Sequence, residues 1–252
     1  LVIAGSDSSG GAGLQADLKT AQAFGVYVQT AVTAVTVQNT QGVTQVHPMP
    51  PELVAAQIAA ALSDIGADAI KIGMLGNGAI AEAVADALEG TDIPLVLDTV
   101  LLSSSGTPLL DDAGIAVLKQ RLIGRSLLLT PNLPEAEALT GIVPDSPHRL
   151  RNAAMAFKLM GSDHVLFKGG HGTGDILRDV LWSGEDFISF EAPRQQTRHT
   201  HGTGCTLATA IACGLAQGQS LRDAVGRAHA YVQEAIRTAP GLGSGQGPLN
   251  HN

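Results

Sequence analysis

The segment Thr200-His-Gly-Thr-Gly-Cys-Thr206 sets a thiol after a glycine-rich turn and ahead of small residues, Leu207 to Leu215, that read as a buried helix. A helix starting there aims its unbonded N–H groups and positive dipole end at whatever occupies the turn. Gly202, Thr203 and Gly204 are therefore expected to form an anion hole, for which phosphate is the usual occupant. Cys205 falls in the first helical turn, where a thiol gives up its proton more readily. Its expected task is to take the proton of an attacking hydroxyl. The bland alternative, a small core residue, suits Cys213 deeper in the same helix. A base beside an anion hole points to group transfer involving phosphate.

The tetrapeptide His-Gly-Thr-Gly occurs twice, at His171–Gly174 and His201–Gly204. The first copy leads into Asp175-Ile-Leu-Arg-Asp-Val-Leu-Trp, which reads as strand, and Asp175 as a loop residue. Only the second copy precedes a helix. A further loop, Gly5-Ser-Asp-Ser-Ser-Gly-Gly-Ala-Gly13, joins a strand to a helix, and Gly11-Ala-Gly13-Leu-Gln-Ala16 matches a relaxed dinucleotide fingerprint. The acid that should end the next strand is missing, because that strand closes on Val37-Gln38-Asn39. A nicotinamide or flavin enzyme is therefore disfavoured, and no Walker lysine follows the glycines. The glycines let backbone approach a small substrate, or form a plain tight turn. Asp98, Asn132 and Glu135 are polar groups at two neighbouring strand ends. Magnesium with a nucleotide needs one or two carboxylates, which Glu135, beside Asn132, can offer; stabilisation of a helix start is its bland role. Lys168 reaches a phosphate or is merely solvated. The eight histidines show no zinc spacing.

Strand-like and helix-like patterns alternate from Leu1 onward, which predicts one α/β domain over 1–252 with a mostly parallel central sheet and helices on both faces. Ligands should gather at the carboxyl ends of the strands, where Gly5–Asp7, Gln38, Asp98, Asn132 and Lys168 fall. Helices are expected over Gly13–Phe24, Pro51–Ile65, Ala79–Leu88, Ala113–Leu122, Pro134–Leu139, Arg151–Met160, Thr203–Gln217 and Leu221–Thr238. Pro144–Leu150 reads as a mobile polar loop, Ser183–Asp186 as a hairpin turn, and the Gly-rich tail from Pro240 as loose. At 252 residues, 44% apolar, the chain can bury a full core. A net charge of −8 without a Lys/Arg cluster argues against nucleic acid. No apolar run approaches the roughly 18 residues of a membrane span. Two cysteines without a C-x-x-C pair fit a reducing compartment, the cytoplasm. The opening Leu-Val-Ile-Ala reads as the start of a domain lacking its initiator residues, not as a signal peptide.

Taken together, Ala4-Gly-Ser-Asp-Ser-Ser-Gly-Gly-Ala-Gly-Leu-Gln-Ala-Asp-Leu-Lys19, Val37-Gln-Asn39, Lys71-Ile-Gly-Met-Leu75, Leu97-Asp-Thr-Val100, Thr130-Pro-Asn-Leu-Pro-Glu-Ala136, Lys168-Gly-Gly-His171 and His201-Gly-Thr-Gly-Cys-Thr206 form a specific set. The chain resembles, over nearly its whole length, the hydroxymethylpyrimidine kinase/phosphomethylpyrimidine kinase family of thiamin biosynthesis, within the ribokinase-like superfamily. Most superfamily relatives have Asp where this chain has Cys205. The cysteine form is shared with some pyridoxal kinases.

The resemblance implies ATP- and Mg2+-dependent phosphorylation of 4-amino-5-hydroxymethyl-2-methylpyrimidine and then of its monophosphate. It implies that Gln38 holds the aminopyrimidine, its amide offering both donor and acceptor, that Asp17 also bonds the substrate, and that Met74 packs near the ring. Cys205 would activate the hydroxymethyl group beside the anion hole. Asp98, Asn132, Glu135, Lys168 and Thr200 would lie toward ATP and magnesium, with Asp98 and Glu135 on the metal. Ser104 stands where many relatives carry Lys. Room for a phosphate near Gly11–Gly13 is expected for the second reaction, and relatives are often homodimers. A pyridoxal kinase of the same superfamily and a non-catalytic pyrimidine-binding module are the rival readings.

Overall fold

The computed structural model describes residues 1–103, 106–170, 174–184 and 186–252. Ser104 and the His171–Thr173 part of the first His-Gly-Thr-Gly copy lie outside the described residues, as does Glu185 of the expected hairpin turn.

Six short apolar segments form a parallel core: β1 (Val2–Asp7), β2 (Thr30–Asn39), β4 (Ile70–Ile72), β5 (Leu95–Leu97), β6 (Leu128–Leu129) and β7 (His164–Phe167). Antiparallel strands extend it at both edges, β3 (Gly42–Pro48) beside β2, then β8 (Ile176–Ser183) and β9 (Asp186–Pro193) beyond β7. The nine-stranded order is β3-β2-β1-β4-β5-β6-β7-β8-β9. Successive side chains leave opposite faces of a strand, and the core divides accordingly. Ile70, Ile72, Leu95, Leu97, Val165 and Phe167 enter one layer with α2 (Pro51–Ser63), α3 (Gly78–Ala87), α4 (Asp112–Val117), α5 (Leu133–Thr140) and α6 (Pro147–Leu159). Ala69, Val96, Leu128 and Leu166 enter the other, with α1 (Gly13–Ala23), α7 (Thr203–Ala216) and α8 (Leu221–Arg237). Burial on both faces explains why the central strands read as continuous apolar runs. The chain order reverses between β1 and β4, and a sheet of this kind opens a crevice at such a point.

Four expectations need correction. Strand β3 was not anticipated; its residues are mostly exposed, so no buried stripe marks them. The supposed loop Pro144–Leu150 is half helix, because Ser146 caps α6 and Pro147 occupies its first position. The helix expected over Ala113–Leu122 continues α4 as a π-helical turn, Leu118–Leu122. The tail is not loose: Leu249 and His251 are buried, the His251 ring lies 3.0 Å from the Thr206 hydroxyl, and Pro248 bridges to His201.

Candidate active site

The carboxyl ends of the parallel strands converge on the start of α7. Gly202 there has φ 88°, and a Cβ would collide with the Gly11 carbonyl, so only glycine lets this turn close on the first loop. A Cβ on Gly204 would stand 3.3 Å from Lys168 Nζ and 3.4 Å from Asp98 Oδ2. The helical tip therefore faces that ion pair directly. Thr203 donates its hydroxyl to the Thr200 carbonyl at 2.7 Å, which fixes the turn, while the Thr200 side chain is exposed.

Lys168 follows β7 and places Nζ 2.8 Å from Asp98 Oδ1 and 3.9 Å from Glu135 Oε2. Burial opposes the charge on Asp98, but Lys168, Lys71 and the Thr130 hydroxyl outweigh it and hold the carboxyl below its ordinary range. Burial pushes Glu135 up despite Lys168. Asn132 caps α5 through a reciprocal box: its Oδ1 accepts from Glu135 N at 2.8 Å, and Glu135 Oε2 accepts from Asn132 N at 2.8 Å. The bland role of Glu135 is thus real. Its Oε2 also accepts from Thr99.

Asp98 and Glu135 suit a magnesium ion that keeps several waters and takes its remaining ligands from phosphate. Asp98 Oδ2 faces the tip of α7, while Oδ1 holds Lys168 and Thr130. No group of three or more potential metal ligands occurs among the described residues, so a fully protein-built cage does not fit.

Asp17 departs from expectation. It is fully buried in α1, both its oxygens within 3.0 Å of Lys71 Nζ, and Thr209 donates to it at 2.6 Å. Its carboxylate neutralises Lys71, whose charge is retained because Asp17, together with Cys205 and Asp98, outweighs burial. The signal for this pair was a lone lysine inside the apolar strand β4.

Cys205 is half-buried at the start of α7, and the Gly13 amide of α1 points at its sulfur. Two helix starts and Lys71 favour the thiolate, yet burial dominates and pushes the thiol up to about 11. The expected lowering is reversed, because desolvation acts on the whole charge whereas a helix end supplies a fraction of one.

The first loop is organised by Asp7, which sequence reasoning left unassigned. Asp7 accepts from the Ser9 amide and hydroxyl and the Gly11 and Ala12 amides, and lies 2.9 Å from His201 Nε2. These bonds outweigh burial and pull its carboxyl down to about 2. The Gly11 and Ala12 amides are thus bonded to Asp7. Gln38 and His201, their side-chain nitrogens 3.1 Å apart, line a cleft of 220 Å³ with Asn39, Thr40, Ser103 and Gln246. Met74 is buried against Gly5 and does not line that cleft.

The phosphomethylpyrimidine kinase family model matches residues 7–250. The hydroxymethylpyrimidine/phosphomethylpyrimidine kinase of Streptomyces coelicolor is 47% identical over 100% of this chain and 93% of its own length. The thiamine biosynthesis bifunctional protein ThiED of Geobacter sulfurreducens is 46% identical, and the chain spans about half (51%) of that longer protein. Among solved structures, the Bacillus subtilis pyridoxal kinase in its ADP complex superposes with TM-score 0.90 at 33% identity, covering 99% of this chain and 95% of that one. Sheet order, helical tip and family match agree, and the chain belongs to the phosphomethylpyrimidine kinase family of phosphotransferases.

Proposed function

We propose that this protein phosphorylates the hydroxymethyl group of 4-amino-5-hydroxymethyl-2-methylpyrimidine and then its monophosphate, in thiamin biosynthesis, as a single kinase domain acting in the cytoplasm as a homodimer. The observation that carries this reading is the tip of α7 facing Lys168 and Asp98 at the carboxyl ends of the strands. When bound, ATP with Mg2+ supplies the phosphoryl group and neutralises part of its charge. The Gly202–Cys205 amides and Lys168 stabilise the equatorial oxygens, which is electrostatic work that needs donors already in place. Asp98 and Glu135 hold the metal side of the site, with Asn132 and Thr200 near the nucleotide. Gln38 orients the pyrimidine, and Cys205 receives the proton of the attacking hydroxyl.

A Cys205 thiol near 11 leaves on the order of one thiolate in ten thousand at neutral pH. That is tolerable in a loose transition state, where the hydroxyl proton departs late.

Pyridoxal kinase is the second reading, favoured by the TM-score of 0.90 with a pyridoxal kinase. Side-by-side turnover with ATP on hydroxymethylpyrimidine, its monophosphate and pyridoxal separates them. We expect kcat/KM to be highest for the two pyrimidines; a preference for pyridoxal would reverse the assignment. Gln38→Ala should weaken pyrimidine binding by roughly 1–3 kcal/mol, read by titration calorimetry, and unaltered affinity would move the substrate elsewhere.

A further inference from the structure

We propose that His201 and Thr36 lock the polarity of the Gln38 amide, Oε1 toward His201 and the NH2 group toward Thr36, so that the cleft accepts a 4-aminopyrimidine edge and rejects its 4-oxo counterpart. The inference rests on the pyrimidine reading above and adds two positioning residues to it.

Proton counting at both ends of the amide leads there. His201 Nε2 lies 2.9 Å from Asp7 Oδ2 and 3.1 Å from the Gln38 amide. Asp7 Oδ2 already accepts from the Ser9 hydroxyl and the Gly11 and Ala12 amides. It is an acceptor, so His201 Nε2 carries the proton and donates it. A protonated ring nitrogen has no lone pair to receive an N–H, and the Gln38 atom facing it must be the oxygen. At the other end, the Thr36 hydroxyl lies 3.1 Å from the Ser6 carbonyl and 3.1 Å from Gln38 Oε1, so the His201 proton requires the oxygen and nitrogen of the amide to be exchanged. The single Thr36 proton can go to that carbonyl, which leaves a lone pair to take an N–H from Gln38 once the His201 end has set the amide. Amide oxygen and nitrogen are distinguished only by such networks, and here the His201 end chooses the orientation while the Thr36 hydroxyl, donor and acceptor alike, accommodates it.

One N–H and one lone pair of Gln38 remain for the cleft. An aminopyrimidine edge presents an amine donor to Oε1 and a ring-nitrogen acceptor to the N–H. A 4-oxo ring presents a carbonyl and a ring N–H, which sets acceptor against acceptor and donor against donor. The ligand cannot turn over instead, since its hydroxymethyl group must face α7. Gln38 would have to flip and lose its bond to His201.

The test measures kcat/KM for 4-amino-5-hydroxymethyl-2-methylpyrimidine and its 4-oxo analogue, with ATP and Mg2+, in the wild type, His201→Phe and Thr36→Val. We expect the wild type to prefer the amine at least about a hundredfold. Each variant should cut that ratio about tenfold, with KM for ATP within about twofold of wild type. Ratios unchanged within about twofold in the folded variants would overturn the lock, even if stability fell. Circular dichroism identifies a variant that fails to fold, and the other then decides. Turnover of neither pyrimidine by the wild type would instead remove the functional reading, and the lock with it.

Discussion

Lys71 and Lys168 both grip a buried aspartate, Lys71 Nζ at 2.9 Å from Asp17 Oδ2 and Lys168 Nζ at 2.8 Å from Asp98 Oδ1, yet the two pairs do opposite things. Neither member of the first pair exposes any side-chain surface, and Thr209 closes it from α7. The second pair keeps 15% of the Lys168 side chain exposed and faces the tip of α7. A sealed pair whose hydrogen bonds are filled from within holds elements together. An open pair with an oxygen turned to the tip of α7 can exchange its partner for a phosphate or a metal. Cys205 feels both, since Lys71 favours its thiolate while Asp17 and Asp98 oppose it.

The largest effect should come from breaking the sealed pair. Lys71→Ala strands the Asp17 charge in the interior, and we expect a loss of about 3–5 kcal/mol in urea unfolding. The double variant Lys71→Met/Asp17→Leu should recover most of it; a single-variant loss below about 1 kcal/mol would mean that the two pairs do not differ. Lys168→Ala should lower kcat/KM by roughly 10²–10³ while costing less stability than Lys71→Ala. Equal destabilisation with undiminished turnover would erase the distinction. The smallest effect concerns the thiol between the pairs. Its folded value lies near 11, so the thiolate fraction grows with pH across the neutral range. If the thiolate is the base, log kcat/KM should climb by about one per pH unit from 7 to 9. Cys205→Ala should be slower and flat over that range, with ATP affinity preserved. A flat wild-type profile would leave Cys205 without a proton to accept.

Much of the fold was legible because buried parallel strands and amphipathic helices write different periods into the chain. Ile70–Ile72, Leu95–Leu97 and the helix from Thr203 show this. β3 was not legible, because an exposed edge strand carries no apolar stripe. The Ser146-Pro147 helix start carried a signal that polar composition masked. In the site, Gly202–Cys205 could be placed from spacing alone, since a glycine turn before a helix has one geometry. Asp17 could not be placed, because a carboxylate in α1 has the same local chemistry whether it faces a ligand or a lysine from another strand. His201 was hidden for a similar reason: it reaches Gln38 from 163 positions away, whereas Thr36, two positions from Gln38 on β2, meets the Ser6 carbonyl only in the folded sheet.

Local chemistry written in the chain thus determined the strand and helix order, the glycine turn at the start of α7 and the family, because backbone periodicity and glycine conformations operate over a few residues. Tertiary structure alone decided which lysine is sealed, which way the Cys205 thiol shifts and which amides of the first loop are already taken. Those outcomes depend on desolvation and on partners more than 50 positions away in sequence, as with Lys71 and Asp17, 54 apart, and no local pattern encodes them.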